Sequence, residues 1–570
     1  MTLPGFFVCL LAIYAGAWQQ PSAAVSPTPD RNAFTFLNWR LDLRIDANLE
    51  ALSARGTILL RNDSSQPQRQ ATLQISSSLK WAAIRQNGAA APFTASQLRS
   101  DLDHSGGVNE AVLDLARPVP PGSTVELEVG YSGTISLDTT RLAQLGVPLE
   151  VRAATDYDRI TPTFTCLRGV GHVLWFPVSL DPASLADGNR VFEETSAWAV
   201  RHSSSSMTVH FSDSQQPAFQ TNAQMSRIEF SGSVRTEEHE WQHLGIAGPI
   251  LIAGDYKSLS AHPQQAKDVG LHFRADHELQ AQDYARVIQE TVPTISGKAE
   301  FPTSVLELPE DSDSIFDADT ALLTPFKTTD RKSLELAITF LLAHQTLWSP
   351  RAWIYEGAAH LAQALERERQ DGRAAAIAYM EQRLAPLTLV DSGDAQHLKS
   401  SSLVNSASEV YFRTKAMYVW WMLREIVGQR AILDSLAQYD PGADKEPSYM
   451  QRVLEKNSHK DLEWFFDDWV YQDRGLSEFT VSNGYARPSL QGIFLVSATI
   501  ENKGGAAAEV PVIVRTESGS VVTRLRVPAH DKAAARIEVS SRPLEITVND
   551  GSVPELDRTD NTTSVRIAKE

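Results

Sequence analysis

The sequence predicts a multidomain α+β protein with an N-terminal β-rich domain, a mostly helical middle domain and a C-terminal β-sandwich. Three observations carry that expectation. At 570 residues the chain is too long for one hydrophobic core. Both ends alternate apolar and polar residues over short runs, as in "WRLDLRIDANLEALSARGTILLRND" and "LQGIFLVSATIENKGG". Between Ala275 and Leu476 the apolar spacing becomes helical, with one strand-like run, Thr303 to Pro309.

Taken in chain order, the first segment is a leader. An apolar run from Phe6 to Trp18 is followed by small residues at Ser22 to Ala24, the pattern of an export signal spanning 1–24. The expected product is therefore exported, either secreted or periplasmic. No later stretch reaches about 18 uninterrupted apolar residues, so no integral membrane segment is expected once the leader is cleaved. Cleavage removes Cys9 and leaves Cys166 alone, which excludes an intramolecular disulfide; Cys166 reads as a small buried hydrophobe. A net charge of -18 excludes nucleic acid as a partner, because phosphate binding needs a surplus of Lys and Arg.

The β-rich domain is expected over 25–256, its strands punctuated by Gly, Pro, Asn and Ser clusters. The middle domain, 257–478, offers five long helix candidates: Glu278 to Glu290, Arg331 to Leu347, Trp353 to Gln370, Ser408 to Val427 and Lys460 to Tyr471. Pro350 separates the second from the third. The aromatic residues Trp420, Trp464, Phe465 and Trp469 fall at helical spacing and read as core; Asp467, Asp468, Asp473 and Arg474 read as a surface charge cluster. Residues 479–570 form the C-terminal sandwich, where nothing suggests chemistry.

Four quoted stretches, "EFPTSVLELPE", "LLAHQ", "WIYEGAAH" and "TKAMYVWWMLREIVG", occur in an order that resembles the aminopeptidase N family of zinc metallopeptidases (gluzincins of the membrane alanyl aminopeptidase type). The resemblance implies a saddle-like N-terminal domain, a thermolysin-like middle domain and a β-sandwich. Its local motifs run from about Phe301 to Gly428. In that family the motif H-E-x-x-H supplies two zinc ligands one helical turn apart and a glutamate that activates water, and a glutamate downstream completes the ligand set. The matching residues here are Phe340-Leu341-Leu342-Ala343-His344, with Glu356 at the place of the third ligand.

These departures are chemical. A phenyl ring at Phe340 replaces an imidazole, and Leu341 cannot take a proton from water. The interval from His344 to Glu356 is shorter than the family's, and the Gly-x-Met-Glu-Asn segment that anchors an amino terminus is replaced by "FDADTALLTPF", where Asp317 and Asp319 are the acidic residues. Arg413 stands at the place of the family's transition-state tyrosine; Tyr411, two residues earlier, is the candidate catalytic substitute, with a packing role as its plain alternative.

A lone histidine is more often a hydrogen-bonded core residue than a ligand, but His344 is accompanied by Glu356 and His360, one turn apart on the next helix. Three readings follow. The first is an exported, peptidase-like protein that has lost zinc catalysis, needs no cofactor and keeps a cleft for a peptide or protein ligand. The second is an active zinc metallopeptidase with His344, Glu356 and His360 as a rearranged ligand set. The third is a structural or assembly module. The leader yields a direct expectation: mass measurement of the mature protein should place its first residue near Val25, and a soluble product retaining Met1 would contradict export.

Overall fold

Alternation along Phe34–Asp46 builds the N-terminal layer: Trp39, Leu41 and Leu43 are buried, while Arg40, Asp42 and Arg44 face solvent. In the computed structural model this strand lies inside an eight-stranded sheet, paired antiparallel with Ala51–Asn62 and parallel with Ser206–Ser212. The structure describes residues 29–568 apart from 188–189, 213–216, 233, 246–247, 299–300, 310–315, 319, 327–329, 392–401, 407–409, 473 and 490–491. The leader read over 1–24, with Cys9, lies outside the described residues, as do Asp319, Asp473 and the side chain of Asp317. No helix among the described residues is long and apolar enough to cross a membrane.

The N-terminal β-rich domain adds a three-stranded sheet and a four-stranded sheet to the large one, around a core that includes Trp39, Trp175, Phe176 and Trp241. Within it lies a helix that period-two reading does not disclose, Arg190–Arg201, which buries Val191, Glu194 and Trp198 on one face. Cys166 is fully buried, and burial pushes its thiol well up, as suits a packing residue.

The helical region begins under a five-stranded sheet in which Thr303–Glu307 is the central strand. Glu278–Glu290 is helical as expected, and the two long helices run Arg331–Thr346 and Ala352–Asp371. Two expected helices differ. The Ser408 to Val427 candidate is an α-helix only over Ala416–Val427, preceded by a wider π-type turn at Val410–Lys415. The Lys460 to Tyr471 candidate is a short helix, Glu463–Phe466, followed by a second wide turn, Asp467–Tyr471. An added residue per turn leaves no mark in a 3.6-residue pattern.

The C-terminal strands make two four-stranded sheets, and their core is continuous with that of the helices: Trp353, Trp420, Phe465 and Trp469 share one apolar cluster with Val496, Val512 and Ile546. Trp469 Nε1 donates to Ala507 O at 2.7 Å, and Asp468 accepts from Ala507 N at 2.9 Å. Arg373 reaches Glu425 at 2.8 Å and Asp550 at 3.0 Å. Trp420, Phe465 and Trp469 are core, as their spacing implies, and Trp464 packs half-buried against it under Arg526; Arg474 pairs with Asp467 and Asp468 as a charge cluster, and Asp468 also docks the two parts.

A buried ionic cluster ties the N-terminal layers together. His104 Nδ1 lies 3.0 Å from Asp156, and Arg168 is paired with Asp158 at 2.7 Å. Burial alone would lower the His104 pKa, but the bond to Asp156 and the charges of Asp103, Asp156 and Asp158 prevail and raise it to about 9. A histidine whose folded pKa is raised stabilises fully below its unfolded value, 6.5, and that contribution is lost as pH rises through about 9. Thermal midpoints should therefore fall between those pH values, and the slope should flatten in His104→Gln. An unchanged slope in the variant would remove His104 as its source.

Candidate functional site

Two successive helices bring the candidate residues together. Asp330 caps the first, Arg331–Thr346, by accepting from Ser333 N at 3.0 Å. That helix is buried on two sides. Leu341 packs with Val305, Leu322 and Ile338 beneath the five-stranded sheet, whereas Phe340 packs in the helical core with Ala358 and Ala359. The two residues at the degenerate motif therefore fill different apolar clusters, although they are adjacent in sequence.

The second helix, Ala352–Asp371, carries Glu356 and His360 into the same region. Its position is set at Gly357, where a Cβ would lie 2.6 Å from Ala416 Cβ and 3.0 Å from the Trp420 ring. Trp420 Nε1 donates to Trp353 O at 3.1 Å, fixing the same contact with a hydrogen bond. Close approach of the two helices seats the wide turn Val410–Lys415 beside Glu356, and Arg413 Nε donates to Glu356 Oε2 at 3.2 Å.

Around the Glu356 carboxylate, His344 Nε2 stands 4.0 Å from Oε1 and His360 Nε2 stands 4.0 Å from Oε2. Both histidines and Glu356 are buried. The His344 ring stacks on Tyr355 with centroids 4.2 Å apart, and the Phe340 ring meets His344 edge-on at 4.3 Å and His360 at 5.1 Å. Sequence reasoning placed His344, Glu356 and His360 on a common site, and the structure brings them together. Tyr411 is buried with Lys415 Nζ over its ring at 4.9 Å; Arg413 is the residue of that turn that contacts Glu356.

A further set of residues was not foreseen. Arg383 Nη1 lies 2.9 Å from His360 Nδ1, and its Nη2 donates to the Tyr379 hydroxyl at 2.7 Å. Tyr379 donates to Gln363 Oε1 at 3.0 Å, which also lies 2.9 Å from His360 Nδ1. A guanidinium can only donate, so its bond requires a lone pair on Nδ1 and puts the proton of the neutral ring on Nε2, toward Glu356. Burial first, then the charges of Arg383 and Arg413, hold His360 well below its ordinary pKa and keep it neutral. The i, i+3 spacing of His360 with Gln363 and the i, i+4 spacing of Tyr379 with Arg383 are the sequence signals for this network, and both are weak.

Zinc is the metal that the resemblance implies, and the residues present do not fit it. A ligating imidazole needs a lone pair where His360 carries its proton, a phenyl ring packs against both histidines, and the carboxylate is engaged by a guanidinium. Among the described residues, no group of three or more His, Cys, Asp or Glu is arranged to hold a metal ion.

No family model matches the sequence, and no curated protein matches it. Among solved structures, the chain is similar to an M1 zinc metallopeptidase from Deinococcus radiodurans, as an alanine mutant bound to a Tyr-Ser-Ala substrate. The TM-score is 0.49 at 15% identity, covering 77% of this chain and 94% of that one. A two-domain M1 zinc metallopeptidase mutant bound to L-tryptophan gives a TM-score of 0.48 at 14% identity, covering 77% and 95%.

The close approach at Gly357 yields a stability expectation. Overpacking by one methyl costs about 1–3 kcal/mol, against about 1 kcal/mol gained by replacing a helix glycine with alanine. The 2.6 Å approach puts the cost at the upper end of that range, so Gly357→Ala should lose about 2 kcal/mol in denaturant unfolding. A variant as stable as the parent would show that the helices can move apart without cost.

Proposed function

We propose that this chain is an exported, aminopeptidase N-like protein that has given up zinc-dependent hydrolysis and retains a site for a peptide or protein ligand. On this reading its N-terminal domain is saddle-like, its middle domain thermolysin-like and its C-terminal sheets a β-sandwich. The observation that carries it is the Phe340 ring, packed against both His344 and His360 on the face where the resembled motif presents its first ligand. Leu341 supports the same reading. It lies in an apolar cluster under the sheet and has no group that could take a proton from water.

Catalysis in the resembled family needs a Lewis acid and a general base, and this donor set provides neither. What the residues do instead is hold one another. Arg383 fixes the His360 tautomer, His344 and Tyr355 stack, and Glu356 is bonded to Arg413. Such a site can shape a cleft without turning a substrate over.

Elemental analysis of the purified chain should find no stoichiometric zinc, and aminoacyl and peptide substrates should remain intact while fluorescent peptides bind. One zinc per chain, lost in His360→Ala, would instead establish the rearranged ligand set of His344, Glu356 and His360. Phe340→Leu/Leu341→Met, which keeps hydrocarbon at both positions, should fold normally. Phe340→His/Leu341→Glu should lose a few kcal/mol of stability without metal, about the cost of burying unsatisfied polar groups in two apolar clusters. Equal thermal midpoints for the two double variants would show that these positions are not packed as described.

A further inference from the structure

A buried carboxylate needs a cation or a set of donors, because desolvation without compensation is costly. Glu356 is 8% exposed, and its two imidazole neighbours stand at 4.0 Å, too far for a hydrogen bond. The cation bonded to it is Arg413, at 3.2 Å. We infer that Arg413 is an internal cation supplying to Glu356 the charge that a metal ion would bring, and that this charge opposes a divalent metal even where an imidazole replaces the Phe340 ring.

The inference rests on the reading that the native site holds no zinc, and it adds the cause. In the resembled family the place of Arg413 belongs to a neutral tyrosine, which can share a site with a dication. A guanidinium cannot easily do so, since it stays charged at any physiological pH and repels the metal across a few ångströms. The wide turn Val410–Lys415 presents this side chain, and the contact at Gly357 brings the turn against Glu356.

Phe340 remains the steric obstacle, so the test needs a background in which it is replaced.

The experiment uses the full chain and zinc alone as probe, with metal content after dialysis and zinc-dependent thermal shift as readouts. Arg413→Gln and Arg413→Lys are each placed in the Phe340→His/Leu341→Glu background. There Arg413→Gln should tighten zinc binding by about tenfold or more, through loss of charge repulsion, whereas Arg413→Lys, which keeps the charge, should not. Zinc affinity unmoved by Arg413→Gln, or raised as much by Arg413→Lys, would overturn the inference. Should Arg413→Gln fold poorly, the metal-free stability of Glu356→Gln/Arg413→Gln decides: it should exceed that of Arg413→Gln alone, and strictly additive losses would overturn the pairing. One zinc per chain in the parent would overturn the zinc-free reading itself. A zinc-free parent, with no gain from Arg413→Gln in the Phe340→His/Leu341→Glu background, would overturn only the role of Arg413.

Discussion

The close approach of two helices at Gly357 is the constraint on which the site depends. With no side chain there, Ala352–Asp371 lies against the start of Ala416–Val427 closely enough for the Trp420 ring to reach the Trp353 carbonyl. Because Gly357 follows Glu356 directly, that packing also fixes where the carboxylate meets the preceding turn. Core and site are one object here: the Trp353 and Trp420 rings, 5.3 Å apart and nearly parallel, belong to the same apolar cluster as Phe340.

This cluster extends into the C-terminal sheets, so the helical region is clamped from below as well. Trp469, Arg373 and Asp468 each carry a polar contact across that boundary, surrounded by shared hydrocarbon. Packing of this kind leaves few ways for the site's helices to shift independently, since close-packed interiors deform in discrete steps rather than smoothly.

Charge arrangement sets the chemistry apart from the fold. In a chain with 70 acidic and 52 basic residues, two guanidiniums nonetheless converge on the Glu356 and His360 pair. One keeps an imidazole in a defined tautomer and the other bonds to the carboxylate. Both bonds use the rigid donor fork of arginine, which orients its partners as well as balancing their charge. The site is thus polar and built from the chain's own groups.

Much of the fold was legible in the sequence. Period-two alternation disclosed the strands of Phe34–Asp46 and the C-terminal sheets, and 3.6-residue spacing disclosed Glu278–Glu290 and both site helices, because burial of one face imposes those periods locally. The motif comparison likewise brought out His344, Glu356 and the chemical emptiness of Phe340 and Leu341, and helical spacing added His360. Residue type and position alone determined these. The wide turn at Val410–Lys415, the separation of Phe340 from Leu341 into two cores, the tautomer of His360 and the meeting of Arg413 with Glu356 were decided only by tertiary structure. The partners in that last pair lie 57 residues apart, and nothing in local spacing specifies a contact that depends on how closely two helices pack.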